Sequence, residues 1–173
     1  MAQRIVDLVR ARFPQAVLEA HAFRGDDTIV VRREDYLEVV RFLKDSPGTA
    51  MDFFVDLTCV DWPGRRPRFD VVLHLKAWRS SERLRVKVGV PEEDCTCPSL
   101  TGLWPAANWF EREAFDMYGV RFVGHPDLRR ILLYDEFQGH PLRKDYPKEK
   151  RQPLVPMRED APPQPPPFPE RPH

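Results

Sequence analysis

The stretch GHPLRKDYP, residues 139–147, brings His140, Arg143, Lys144, Asp145 and Tyr146 into one short segment. Fifteen residues earlier GHPDLRR, 124–130, nearly repeats it with His125, Arg129 and Arg130. A histidine beside an aspartate and a tyrosine could move protons in acid–base chemistry. Two further groups could do chemistry. Glu111, Glu113 and Asp116 offer paired carboxylates, and Cys59, Cys95 and Cys97 offer thiolates for a metal or cluster.

Each group also has a plainer reading. Zinc and iron–sulfur sites usually need four protein ligands, with thiolates commonly two to four residues apart. Three cysteines with Cys95-x-Cys97 spacing fit a core cysteine and two loop thiols better. A general base needs a nucleophile and a pocket, and neither is visible beside the carboxylates. Arg112 precedes Asp116 by four residues and can pair with it on a helix face. Glu111 sits three residues after Asn108, as a capping box requires. The expected result is a charged outer helix face, with Glu-Arg-Glu beside Trp109 suited to ion pairing with another subunit.

The residue before a proline is pushed out of the helical region, so Pro126 and Pro141 hold His125 and His140 extended. Each Gly-His-Pro then reads as a stiff turn that projects the basic residues after it. Arginine and tyrosine are enriched at interface hot spots, which favours docking, although a solvated basic loop would show the same residues.

The elements that must position these residues follow from periodicity. Ile5, Leu8 and Val9 fall at helical spacing before Pro14. AVLEAHAF (16–23) and TIVVR (28–32) flank RGDD as a hairpin, and EDYLEVVRFLKD (34–45) is a second helix ended by SPG. Three alternating segments follow. Met51, Phe53, Val55, Leu57 and Cys59 form one apolar face; Phe69, Val71, Leu73, Leu75 and Ala77 form the second; Leu84, Val86, Val88 and Val90 form the third. A third helix spans NWFEREAFDMYG, capped by Asn108 and ended by Gly119. Helix, two strands, helix and three strands give an α+β fold, with a mainly antiparallel sheet and helices on one face. The expected divisions are an α+β domain over 1–119 and an irregular docking segment over 120–152, with only short strand-like pieces such as RILLYD. A proline-rich arm follows over 153–173, holding nine of the 19 prolines.

The chain has 173 residues, of which 42% are hydrophobic, enough for one domain and a core. Lys+Arg 27 balance Asp+Glu 27, which argues against a nucleic-acid partner. Three cysteines and no signal peptide fit a reducing compartment. No apolar run approaches the ~20 residues that cross a bilayer, so membrane association would come through a partner. The opening helix carries Asp7 and no serine, unlike a mitochondrial presequence.

The segment EREAFDMYGVRFVGHPDLRRIL (111–132) resembles the signature of the 30 kDa subunit of respiratory complex I, also called its C subunit. Glu111, Arg112, Glu113, Asp116, Met117, Tyr118, His125, Arg129, Ile131 and Leu132 fill that pattern without a departure. DEFQGHPLRKDYP (135–147) looks like the family's closing motif, and DLTCVDWPGR (56–65) is similar to its strand ending in Val-Asp. A match of so many fixed positions is specific. The resemblance covers roughly residues 1–150.

It implies a non-redox subunit of the peripheral arm of NADH:quinone oxidoreductase, docked on the D subunit, with the B and I subunits as neighbours. FMN, iron–sulfur clusters and quinone would lie on partner subunits, with none bound by this chain. The place would be the cytoplasmic face of the bacterial inner membrane. The residues expected at the subunit interface are Glu111, Arg112, Glu113, Asp116, Tyr118, His125, Arg129, Arg130, Asp135, His140, Arg143, Lys144, Asp145 and Tyr146. Two alternatives stay open. One is an accessory subunit of a related membrane-bound hydrogenase or other quinone- or ferredoxin-linked dehydrogenase. The other is a stand-alone hydrolase using His125, His140, Asp145 or the helix carboxylates.

Overall fold

The computed structural model describes residues 2–155. Ten elements follow in order: α1 Gln3–Arg12, β1 Val17–Phe23, β2 Asp26–Val31, α2 Tyr36–Asp45, β3 Phe53–Asp61, β4 Phe69–Lys76, β5 Arg83–Val90, β6 Thr96–Pro98, α3 Ala107–Tyr118 and β7 Arg121–Val123. The β1–β2 hairpin turns on Arg24 and Gly25, both with positive φ, which matches the twist of the flanking strands.

The main sheet runs β1-β2-β5-β4-β3, antiparallel except for the β2–β5 pair, which is parallel. A parallel pair needs a long crossover, and α2 with β3 and β4 supplies it. The inward side chains of β2 to β5 share one core with Ile5 and Val9 of α1, Tyr36 and Leu43 of α2, and Ala107 and Ala114 of α3. The α+β order and the helix-covered face are those the periodicity predicts.

Four local expectations are corrected. The alternation of Met51 to Cys59 breaks at a register shift between Phe54 and Asp56. One extra residue flips side chains to the other face. Phe54 is therefore buried against Phe110 and Trp104, while Phe53 and Val55 stand 45% and 44% exposed. Cys97, expected in a loop, lies buried on β6, which pairs in parallel with β7. RILLYD forms no strand. Helix α3 begins one residue before Asn108, and no side chain caps it. Its early N–H groups are met instead by the carbonyls of Trp104, Pro105 and Ala106 in a tight entry turn.

The proline-rich arm expected over 153–173 lies outside the described residues from position 156 onward. Within them, the Tyr134 hydroxyl donates to the Pro153 carbonyl at 3.0 Å.

The bulge makes adjacent phenylalanines unequal. Phe54→Ala should cost about 3–5 kcal/mol of unfolding free energy, the usual range for a buried phenylalanine. Phe53→Ala should cost roughly 1 kcal/mol or less. Urea titration of the two variants measures both, and the reverse order would contradict this register.

Candidate functional site

Helix α3 and the chain that wraps it gather nearly every candidate residue. An α-helix leaves its last four carbonyls without intrahelical partners. In α3 these belong to Phe115, Asp116, Met117 and Tyr118. Gly119, left-handed at φ 81, donates its N–H to Phe115 O at 2.8 Å. His140 Nδ1 meets Asp116 O at 2.9 Å, Leu142 N–H donates to Met117 O at 3.1 Å, and Arg143 Nε donates to Tyr118 O at 2.6 Å. The GHPLR segment is thus the C-terminal cap of α3. Burial, reinforced by Arg143 and Arg130, holds His140 below the usual histidine range despite its bond to the Asp116 carbonyl. The neutral ring carries its proton on Nδ1, as a donor to that carbonyl must. Gly119 is required twice: it supplies the positive φ, and an added Cβ would meet His140 Nε2 at 2.7 Å.

The first Gly-His-Pro turn reaches the other end of the helix. His125 Nε2 lies 3.3 Å from Asn108 O, while its Nδ1 accepts from Asp127 N–H at 3.0 Å. The chain then runs back along α3. Arg112 donates to the carbonyls of Arg129 and Arg130 at 3.1 and 3.0 Å. Asp116 Oδ2 accepts the N–H groups of Ile131, Leu132 and Leu133 at 3.1, 2.9 and 2.9 Å, and Oδ1 accepts Arg130 Nη1 at 2.7 Å. This explains why RILLYD is no strand: a carboxylate, not a neighbouring strand, takes its N–H groups. Burial works to raise the Asp116 pKa, but these four donors outweigh it and hold the carboxyl below its ordinary value.

A second carboxylate anchors the end of the wrap. Asp61, at the end of β3, grips Arg68 through two bonds of 2.7 and 2.9 Å and accepts Lys144 N–H at 2.7 Å. Arg68 also reaches Asp145 at 2.9 Å and Glu92 at 2.6 Å. Its bonds lower the pKa of Asp61 and of Asp145. The Arg68 and Arg143 guanidinium groups both lie over the Phe69 ring, 5.0 and 4.9 Å from its centre.

Glu111 is the third anchor. It is fully buried and accepts Ser99 Oγ and Leu100 N–H, both at 2.6 Å. Among the described residues it forms no ion pair, and Tyr36 and Cys97 lie near it. Burial pushes its pKa up to about 7, against the opposing pull of those two hydrogen bonds.

These contacts correct three expectations. Glu111 does not cap α3, Asp116 pairs with Arg130 rather than Arg112, and neither acid lies on an outer face. Arg130, His140, Arg143 and Asp145 do not project from free turns but bind their own chain. Tyr146 is half-buried and stacks on Phe137 with ring centres 6.1 Å apart. Tyr118 is half-buried and gives its carbonyl to Arg143. Glu113, Arg129, Asp135 and Lys144 are exposed, as are Trp109, Leu132 and Leu142, at 62%, 64% and 47%. Arg68, the hub of the second anchor, carried no sequence signal: it falls in an arginine- and proline-rich turn like many others. Burial raises the pKa of all three thiols. Among the described residues no group of three or more His, Cys, Asp or Glu could hold a metal ion, and no helix is long and apolar enough to cross a membrane.

Arg143→Ala should lower the stability of the isolated chain by about 1–3 kcal/mol, because it strips a helix carbonyl and a stacked cation. Lys144→Ala should stay within about 0.5 kcal/mol, since its side chain is exposed. Chemical denaturation of both separates a cap from a projecting basic loop. Glu111 has a raised folded-state pKa, so its contribution is complete below its unfolded value of about 4.3 and is lost as pH climbs through 7. Asp61 and Asp116 act in the opposite sense, stabilising above their unfolded values and failing on acidification. Glu111→Gln should therefore gain stability over the parent between pH 5 and pH 8, on the order of 3 kcal/mol. Thermal unfolding across that range would show a constant difference if Glu111 were an ordinary surface acid.

The respiratory-chain NADH dehydrogenase 30 kDa subunit family matches residues 29–152. The NADH-quinone oxidoreductase C subunit of Roseiflexus sp. (strain RS-1) is 49% identical over 143 residues, which is 83% of this chain and 82% of that protein. The NADH-quinone oxidoreductase C subunit of Rhodobacter capsulatus is 47% identical over 150 residues, 85% of this chain and 75% of that protein. A solved trypsin-resistant fragment (1–134) of Nqo5 superposes with a TM-score of 0.62 at 33% identity, covering 73% of this chain and 98% of the fragment. A chain of the archaeal membrane-bound sulfane sulfur reductase, a respiratory membrane complex, shares the fold with a TM-score of 0.72 at 24% identity, over 86% of each chain. With its signature acids placed as anchors of one wrapped helix, this chain belongs to the family of the respiratory-chain NADH dehydrogenase 30 kDa subunit, the C subunit of NADH-quinone oxidoreductase.

Proposed function

We propose that this chain is a non-redox subunit of the peripheral arm of a proton-translocating NADH:quinone oxidoreductase. It docks on the D subunit near the quinone-reducing end, with the B and I subunits as further neighbours, and supports electron transfer from NADH to quinone by assembly and shape. FMN, iron–sulfur clusters and quinone sit on the partner subunits, and the chain alone turns over no substrate. It reaches the cytoplasmic face of the bacterial inner membrane through the complex.

The observation that carries this reading is the family match, which includes the whole wrap around α3. The outer side of that wrap supplies a fitting surface. The Arg112 guanidinium lies over the Trp109 ring, 5.5 Å from its centre, and Leu132 is exposed on the irregular strap that Asp116 holds. A large aromatic and an aliphatic side chain on a rigid support are the usual makings of a hot spot. The alternative of an accessory subunit in a hydrogenase or another quinone- or ferredoxin-linked dehydrogenase has less support. The sulfane sulfur reductase likeness extends to fold alone, whereas the C subunits of NADH-quinone oxidoreductases reach 49% identity.

Replacing Trp109 and Leu132 together by alanine should weaken binding to the purified D subunit by about tenfold or more, with the melting temperature of the chain unchanged. Unchanged affinity in a calorimetric titration would remove this face from the interface.

A further inference from the structure

The helices cover one face of the sheet. On the other, the strand register aligns a row that the family signature does not touch. Phe53 of β3 lies opposite Lys76 of β4, and Lys76 lies opposite Arg83 of β5. Opposed residues of neighbouring strands point to the same face, and like charges placed so destabilise a sheet. Among the described residues neither Lys76 nor Arg83 forms an ion pair. In the next row Asp56, His74, Arg85 and Thr28 follow in register. Arg85 reaches Asp26 only at 3.8 Å.

Apolar groups are exposed beside these cations. The bulge that buries Phe54 turns Phe53 and Val55 outward. Trp78, 65% exposed, packs on Phe53 with ring centres 5.6 Å apart. The Lys76 ammonium stands 5.6 Å from the Trp78 ring centre. Phe53, Val55, His74, Lys76, Arg83 and Arg85 line a cleft of about 360 Å³. Burial and the nearby Arg85 lower the His74 pKa, so its ring offers a neutral hydrogen-bonding group.

We propose that this helix-free face is a second docking surface, seating an extended, carboxylate-bearing segment of a partner protein over the Phe53–Lys76–Arg83 row. A carboxylate between Lys76 and Arg83 relieves their mutual repulsion, and an apolar side chain beside it covers Phe53 and Trp78. The mixed signs choose the class of partner. Asp26 and Asp56 stand within or beside the same cleft and would repel a uniformly anionic bilayer, but they leave room for a segment with one or two acids. A second copy of the chain fits poorly, since a two-fold contact sets the same cations against themselves. The surface lies across the sheet from α3, because Phe54, next to Phe53, packs on Phe110 of that helix. The inference rests on the chain acting within a larger assembly, as proposed above.

The test uses the assembled complex in native membranes, with a photoreactive benzophenone amino acid replacing Phe53 or, as a reference on the α3 wrap, Leu132. Position 53 should give an adduct to another subunit, on a peptide carrying Asp or Glu. Lys76→Glu should cut that adduct about tenfold, while Lys76→Arg should keep it. Because Glu opposite Arg83 is an attractive pair, Lys76→Glu should leave the melting temperature of the isolated chain unchanged or raised. The Leu132 adduct should not respond to either change. No adduct at position 53, or one to lipid, to a second copy or to a peptide without a carboxylate, overturns the proposal. So does an adduct indifferent to Lys76→Glu. Loss of the Leu132 adduct alone would count against docking through α3 and leave this surface standing.

Discussion

The end of α3 is where the molecule could least tolerate an unpaired backbone. Four carbonyls emerge there beside the edge of the core, and buried carbonyls without donors cost on the order of 1–3 kcal/mol each. Only Gly119 answers one of them from the helix's own continuation. The other three are met by His140, Leu142 and Arg143, more than twenty residues later. For those donors to arrive, the chain must travel back to Asn108, turn, and return beside the helix. The path of residues 120–143 is therefore set by the requirement to finish a helix that ended earlier.

Backbone on such a path has no ladder of its own, and the fold supplies donors and acceptors from side chains. Asp116 takes three successive N–H groups, Asp61 takes Lys144 N–H, and Glu111 takes Leu100 N–H. Burying a carboxylate is expensive unless its oxygens are filled. Asp116 and Asp61 each have an arginine and backbone donors, and they remain ionised. Glu111 has two donors and, among the described residues, no cation, and its pKa climbs to about 7. Acids in one family signature thus carry opposite pH signs. Each is filled by donors from its own chain, so its burial is explained by the fold without a substrate.

Periodicity made the sheet and helices legible: Phe69 to Ala77 and Leu84 to Val90 alternate as they pack. The bulge at Val55 was hidden, because Met51, Phe53, Val55, Leu57 and Cys59 alternate as perfectly as a regular strand would. Only the competing apolar Phe54 hinted at a change of face. Within α3, Asp116 and Glu111 had ordinary pairing and capping partners at the right spacing, so local rules answered a question that distant chain had already settled. The resemblance named acids and bases but gave no geometry. Arg143 and Asp145, expected to point toward a neighbour, point home. Arg68 was silent because its role depends on where Asp145 lands, seventy-seven residues further on.

Two different faces of the chain are proposed for docking. One is the wrapped helix with Trp109 and Leu132 on a stiff support, and the other is the bare sheet with its row of cations. The first depends on the wrap being part of the folded domain before any partner arrives. Residue-resolved amide hydrogen exchange on the isolated chain tests that most directly. The N–H groups of Leu132, Leu133 and Leu142 should exchange as slowly as those of α3, because they open only when the cap and its anchors open. Exchange of these three at unprotected rates, with α3 still protected, would show that the segment is shaped by its partner and would contradict this account.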